Sequence, residues 1–208
     1  MDPKTIELMK NFGGLLAMLA PWILLFLAIF RDDLKDILLR PKLILDIPNQ
    51  LKTGERTVLR YSNGSEDLPC VYFHIRAKNK RRRRVASEAL LIVERLEVIP
   101  DDGQVSRSFL DDLSIKQRHC DKRTATDIGY NHVYYDLFRI TENGCLEILL
   151  APPVPNNLIC RLDGPGKIEL DLSMIAINGK SKTKKLRIVW DGDADIGNTE
   201  AHISVDEV

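Results

Sequence analysis

One uncharged run near the start of the chain limits what the whole protein can be. Residues 12–30 read FGGLLAMLAPWILLFLAIF, nineteen residues without an ionisable side chain, eleven of them Leu, Ile or Phe. A helix rising about 1.5 Å per residue would be about 28 Å long here, close to the roughly 30 Å hydrocarbon core of a bilayer. The run therefore predicts one N-terminal transmembrane helix, with Pro21 as a tolerated bend.

A cleaved signal peptide is the alternative for this run. Its apolar region normally spans about 7–15 residues and ends in a small-x-small cleavage site. Here the run is longer and ends in Ala28-Ile29-Phe30, where the Ile and Phe side chains suit a signal peptidase poorly. A retained anchor is the favoured interpretation.

Cations on both sides of the run predict its orientation. Lys4 and Lys10 precede it, and four cations follow it closely: Arg31, Lys35, Arg40 and Lys42. Because the more cationic flank stays in the cytoplasm, we expect a single-pass protein of a bacterial inner membrane with a cytoplasmic C-terminal domain. Four unevenly spaced cysteines without a C-x-x-C pair fit free thiols in that compartment, although their even number leaves disulfides open.

Small residues recur at every fourth position of the run, at Gly13, Ala17 and Pro21. Such a ridge could pair two helices into a homo-oligomer. Gly and Ala are also common in membrane helices that do not pair. Both interpretations stay open.

A short helix and then a series of strands are predicted after the run. Residues 31–41, RDDLKDILLRP, favour a helical linker that begins with two aspartates and stops at Pro41. Beyond it the helical period disappears, and apolar and polar residues alternate as they do in half-buried strands. In the segment 89–99 this alternation slips near Glu94-Arg95, which predicts a β-bulge. The predicted strands are 42–47, 71–78, 89–99, 133–140, 145–151, 168–177 and 185–191.

The strand pattern predicts an all-β fold. Turn sequences such as Asn63-Gly64 and Asn143-Gly144 separate the strands, and no long helical pattern follows residue 41. We therefore expect an immunoglobulin-like antiparallel β-sandwich over residues 42–193. It follows a short N-terminal segment (1–11), the helix and the linker, and it precedes an acidic tail (194–208). The aromatic residues expected in its core are Phe73, Tyr135, Phe138 and Trp190.

Three phrases resemble a bacterial family of membrane-anchored, immunoglobulin-like proteins. They are the segment 73–93 with its basic turn, the segment DIGYNHVYYDLFRI at 127–140, and the ending LRIVWDGD at 186–193. The resemblance covers about residues 42–193 and departs at Gly129-Tyr130, where relatives carry Pro-Gly. It implies the anchored sandwich fold, and it implies no activity or site residue.

The strongest candidate for a binding surface is a basic turn that we place at the tip or edge of a hairpin. KNKRRRRVAS begins at Lys78 and holds six cations in seven residues. Such a cluster could contact lipid headgroups or an acidic protein, or it could simply be a solvated turn. Nucleic acid is disfavoured because residues 43–208 hold 24 Lys or Arg against 25 Asp or Glu. The candidate anion contacts are Lys78, Lys80, Arg81, Arg82, Arg83 and Arg84.

Catalytic and metal chemistry has little support in the sequence. The 1-3-5 spacing of Asp191, Asp193 and Asp195 is typical of a calcium loop, but Ile196 stands where the loop needs Gly. His119, Cys120, His132 and Asp127 could approach one another, although nothing in their spacing requires it. The chain lacks G-x-S-x-G, Walker A and H-E-x-x-H motifs. We therefore expect no catalysis, no cofactor and no resident metal.

The functional hypothesis is a membrane-anchored interaction or adaptor module that contacts the bilayer through residues 12–30. Its protein partner is not identified by the sequence. The alternative is a membrane effector whose transmembrane helix self-associates through Gly13 and Ala17 under the control of the sandwich.

Overall fold

A computed structural model describes residues 3–47, 54–59, 68–110, 113–120 and 123–208. Within these ranges, the side chains of residues 3–13, 15, 16 and 200 are not described. The chain divides into two compact units, Met1–Arg40 and Pro41–Val208. The first is helical and the second is built almost entirely of strands.

The helical unit consists of α1 (Pro3–Ile29) and α2 (Arg31–Leu39). The linker helix is confirmed, with Asp32 and Asp33 in its first turn and an end before Pro41. In the portion of the chain whose side chains are described, no helix combines the length and the apolarity needed to cross a membrane. α1 covers residues 12–29 of the predicted span, and its insertion in a bilayer stays a prediction.

The second unit contains fourteen strands and one short helix among the described residues. In chain order they are β1 (Leu43–Asp46), β2 (Glu55–Leu59), β3 (Leu68–Asn79), β4 (Ala86–Pro100), β5 (Ser106–Phe109), β6 (Lys116–Gln117), β7 (Thr126–Ile128), β8 (Val133–Thr141), β9 (Cys145–Ile148), β10 (Arg161–Leu162), β11 (Gly166–Ala176), β12 (Gly179–Lys180), β13 (Lys184–Trp190), α3 (Thr199–His202) and β14 (Ile203–Glu207). Each of the seven predicted strands is present.

The strands form two antiparallel sheets, as expected for an all-β sandwich. The first sheet has the order β1-β3-β8-β9-β10, with β2 also paired to β3 and β6 to β8. The second has the order β14-β13-β11-β4-β5, with β12 also paired to β11 and β7 to β4. Strands adjacent in sequence, such as β3 and β4, can thus belong to different sheets.

Alternate residues of the strands form one hydrophobic core. In β3 the alternation predicts that Val71, Phe73, Ile75 and Ala77 face inward, and all four are fully buried. The ring of Phe73 stacks on that of Phe138 with centroids 4.4 Å apart. Tyr135 and Trp190 are also buried, so the predicted aromatic core is confirmed. Burying an aromatic or large aliphatic side chain contributes about 1.5–3 kcal/mol, which makes this alternation the main source of stability.

The bulge predicted in β4 is present and places a carboxylate. Between β4 and β11, Arg95 pairs with Asp171 and Val93 with Leu172, so Glu94 is the extra residue. Its carboxylate accepts hydrogen bonds from Ser173 Oγ at 2.7 Å, from Lys180 Nζ at 2.8 Å and from Thr183 Oγ1 at 3.0 Å. These donors, led by Lys180, lower the pKa of Glu94 despite its partial burial.

The predicted acidic tail, residues 194–208, is in part an edge strand of the second sheet. Residues 203–207 form the edge strand β14, which pairs with β13 from Leu186↔Glu207 to Trp190↔Ile203. Ile203 and Val205 are half-buried against the core, because they alternate with the polar residues of this segment. The high acidic content of the segment concealed this alternation.

Replacing Glu94 with Gln should alter how stability depends on pH. The lowered pKa means that the carboxylate stabilises the fold above its ordinary value of 4.5 and loses this contribution as the pH falls below it. We expect wild type to exceed Glu94→Gln in free energy of unfolding at neutral pH, with the difference shrinking in acid. Urea denaturation across this pH range measures it.

The matched control is Glu142→Gln, which changes an exposed glutamate in the turn between β8 and β9. A difference between wild type and Glu94→Gln that stays constant from neutral to acidic pH would contradict the role assigned to this carboxylate.

Candidate functional site

The basic turn joins the two sheets and is not the tip of a hairpin. Lys78 is half-buried in β3, where it pairs with Ile44 of β1. Residues 80–85 then carry the chain from β3 in one sheet to β4 in the other. The hairpin prediction was wrong because alternation shows which face of a strand is buried and not which strand is its neighbour.

A buried asparagine anchors this connection. Asn79 is only 2% exposed, and its Oδ1 accepts a hydrogen bond from the backbone N–H of Lys42 at 2.9 Å. Its Nδ2 donates to the carbonyl oxygen of Arg84, and its backbone N–H donates to that of Gly129 at 3.0 Å. One side chain thus joins the start of the sandwich to the far end of the turn.

The cations of the turn point into solvent around this anchor. Lys80 and Arg81–Arg84 are all exposed. Arg82 has a φ of 63°, the left-handed conformation that reverses the chain there. The guanidinium of Arg81 lies 6.0 Å from the ring centroid of Tyr130, within cation–π range.

A second asparagine brings another connection to the same place. Asn178 donates from Nδ2 to the carbonyl oxygen of Val85 at 2.8 Å and accepts at Oδ1 from the N–H of Ser87 at 3.1 Å. Its neighbour Ile177 is 74% exposed. Gly179 faces Pro41, since an added Cβ there would lie 3.3 Å from the proline Cβ.

These connections form one end of the sandwich, which we call the basic end and define as residues 41–42, 78–85, 129–132 and 177–179. Besides its cations, it exposes three apolar or aromatic side chains. Val85 is 48% exposed and Tyr130 65%, and with Ile177 each stands on a different connection. The sequence did not predict that these three side chains belong to a binding surface. The one local sign of an exposed apolar residue is its position beside a turn motif, as at Ile177-Asn178-Gly179.

The opposite end of the sandwich is acidic. Trp190, Gly166 and Pro100 lie in register there, and the loops beyond them carry six aspartates. We call this the acidic end, defined by Asp101, Asp102, Asp163, Asp191, Asp193 and Asp195. The charge separation along the sequence therefore becomes a separation in space.

The three tail aspartates are used by the loop itself. Asp191, Asp193 and Asp195 each accept the backbone N–H two residues onward, at 2.8–3.0 Å. The N–H of Asp193, followed by the His202 ring, lowers the pKa of Asp191. Asp191 in turn raises the pKa of His202, whose Nδ1 lies 2.8 Å from it. In the described ranges no group of three or more His, Cys, Asp or Glu is placed to hold a metal ion.

A cleft of about 260 Å³ on the first sheet is a site that the sequence did not reveal. His74 stands between two carboxylates, with Nε2 at 3.2 Å from Glu55 and Nδ1 at 2.9 Å from Asp136. Glu55 also pairs with Arg118. Because the carboxylates contact opposite nitrogens of one ring, they cannot converge on a single ion. The three side chains come from β2, β3 and β8, and neither His74 Nδ1 nor Asp136 Oδ1 has a hydrogen-bond partner within the described residues.

The residues considered for catalysis are not gathered into a site. His119 lines this cleft, whereas Asp127 accepts a hydrogen bond from the N–H of Glu88 at 3.0 Å. His132 is exposed in a loop. Among the described residues, these side chains do not form a group that could hold a metal ion.

The four cysteines are free thiols in the structure. Cys70 is buried, and burial is the largest influence that raises its pKa. Burial also raises the pKa of Cys145, to about 11, and that of Cys160. These three thiols therefore stay protonated and weakly nucleophilic near neutral pH.

The predicted helix-pairing residues lie in α1. Ala17 is exposed, and the surroundings of Gly13 fall outside the described residues.

Comparisons with protein-family models, with curated proteins and with solved structures gave no match. The resemblance to an anchored bacterial family stays a prediction.

Replacing Asn79 with Ala should destabilise the sandwich and loosen the basic turn. The substitution leaves the N–H of Lys42 and the carbonyl of Arg84 without their side-chain partner. Leaving such groups unsatisfied costs about 1–3 kcal/mol. Urea denaturation measures the loss, and faster tryptic cleavage within Arg81–Arg84 reports the loosening. The control Asn157→Ala alters an exposed asparagine; an equal effect of both substitutions would contradict the anchor.

Proposed function

We propose that the protein is a non-enzymatic, membrane-tethered interaction module. In this proposal α1 holds the chain in a lipid bilayer, and an immunoglobulin-like sandwich offers a binding surface beside the membrane. The observation that carries the proposal is the apolar surface of α1. Every residue from Ala17 to Phe30 is exposed, and Trp22 is 70% exposed.

Exposing such an apolar surface to water is unfavourable, so lipid or protein normally buries it. Soluble monomers rarely expose a contiguous apolar patch larger than a few hundred Å², and a helix that is apolar on all sides is normally buried in protein or lipid. The uncharged sequence continues back to Phe12. A bilayer satisfies all faces of such a helix at once, whereas one docked partner covers only one face.

The sandwich itself supports a binding role. Its basic end gathers exposed cations and apolar side chains from separate connections. Connections on a rigid β scaffold are common binding surfaces. Free, protonated thiols support a reducing compartment, and the cations after α1 support the cytoplasmic orientation.

Charging the middle of α1 should release the protein from membranes. A lysine at mid-bilayer costs about 2.5–3.5 kcal/mol on the insertion scale, so Ile23→Lys with Leu24→Lys should cost about twice that. We expect wild type to resist carbonate extraction and the double variant to appear in the soluble fraction. Ile23→Leu with Leu24→Ile keeps the apolar surface and is the control. Extraction of wild type by carbonate would refute the membrane tether.

Topology fusions test the orientation separately. A fluorescent protein fused after Val208 should fluoresce in bacteria, whereas alkaline phosphatase at the same place should stay inactive, because it needs the oxidising periplasm to form its disulfides. Active phosphatase would place the sandwich outside the cytoplasm.

Crosslinking examines the alternative function, a membrane effector whose helix self-associates. If the double variant Gly13→Leu with Ala17→Leu loses a crosslinked oligomer that wild type forms, a self-associating helix is favoured.

A further inference from the structure

We propose that the basic end of the sandwich docks on anionic phospholipid headgroups of the membrane that holds α1. The inference rests on the proposed function, because it needs a bilayer beside the sandwich. It names the surface that makes contact and the chemistry of what it contacts. Three features of the basic end support the inference: its cations, its exposed apolar side chains and its connection to the tether. The negative charge at the acidic end is a fourth.

The cations are numerous and presented on a fixed backbone. Seven belong to the basic end: Lys42, Lys78, Lys80 and Arg81–Arg84. Asn79 ties the two ends of the turn to the body of the sandwich, so little chain entropy is lost when the turn meets a surface. On the strands that border this end, Asp127 accepts the backbone N–H of Glu88 at 3.0 Å. The residues that define the basic end include no Asp or Glu.

The apolar side chains distinguish a membrane surface from other anionic partners. Val85, Tyr130 and Ile177 project from three connections among these cations. At a bilayer interface, aliphatic and tyrosine side chains enter the boundary between headgroups and acyl chains while cations meet the phosphates. A nucleic acid would gain little from Val85 or Ile177, and single strands are usually bound on several stacking aromatics.

The covalent connection to the tether favours this end. The chain enters the sandwich at Pro41 and Lys42, and the carbonyl oxygen of Lys42 accepts the N–H of Lys80 at 3.0 Å. Between α1 and this point lie Phe30, the nine residues of α2, and Arg40. The basic end therefore contains the first residues of the sandwich that follow the tether in the chain.

The acidic end favours the same orientation. Its aspartates would be repelled by an anionic leaflet that attracts the cations at the other end. A domain with opposite charges at its two ends is thus oriented by the surface potential as well as by its tether, and this potential decays within a Debye length, about 8 Å at physiological salt. Contact with headgroups requires the basic end to lie at the surface.

Limited proteolysis of the full chain in lipid nanodiscs tests the proposal. One set contains phosphatidylcholine alone, and the other also contains phosphatidylglycerol. The measured quantity is the rate of tryptic cleavage after Arg81–Arg84. We expect anionic lipid to slow cleavage by at least about fivefold, the equivalent of one basic contact, and high salt to abolish the difference.

A variant that keeps every trypsin site tests the apolar contribution. Tyr130→Ser with Ile177→Ser removes an aromatic and an aliphatic side chain from the basic end, and most of the protection should disappear. The matched control is Phe109→Ser with Val105→Ser, which removes an exposed aromatic and aliphatic pair elsewhere. The control should keep the protection seen in wild type.

The outcomes separate the inference from the proposed function. Chain that does not stay with nanodiscs of either kind would refute the membrane tether. Chain that stays bound but is cleaved equally fast in both would refute the headgroup contact alone. Equal protection by soluble heparin in phosphatidylcholine nanodiscs would assign the basic end to a soluble polyanion and overturn the lipid assignment.

Discussion

The crossing from β3 in one sheet to β4 in the other forms the basic end, and the amide of Asn79 holds that crossing in place. Each sheet buries one face of its strands, so the chain must pass from β3 to β4 without leaving backbone groups unpaired. Asn79 solves this with both atoms of its amide, since it accepts from Lys42 and donates to Arg84. The cations between these contacts are thereby turned outward, because the polar interior of the turn is already satisfied.

The crossing also explains how a nearly neutral protein carries two charged surfaces. The sequence has equal numbers of cationic and acidic residues, so its net charge indicates no polyanionic partner. Antiparallel pairing sends the basic segment to one end of the strands and the segment after Trp190 to the other. Charge segregation along the chain becomes an electrical asymmetry of the sandwich, and the proposed contact with anionic headgroups uses this asymmetry.

Particular residues show how far the sequence could be followed. The alternation of Val71, Phe73, Ile75 and Ala77 predicted a buried face, and all four are buried. The slip at Glu94 predicted the bulge. The pairing of strands could not be predicted, because alternation shows which face of a strand is buried and not which strand lies beside it. The β3–β4 connection was therefore predicted to be a hairpin. β14 was missed because acidic residues obscured its two half-buried apolar positions.

The sequence by itself determined the apolar helix, the seven main strands and the positions of the charged segments, because these follow from local periodicity and from runs of like residues. Only the tertiary structure decided what those segments do together. It brought Tyr130 and Ile177 beside the arginines from positions about fifty and a hundred residues further along, and it placed His74 between Glu55 and Asp136. The physical reason is that loop closure between distant strands depends on the packing of the whole core, and no local pattern encodes it.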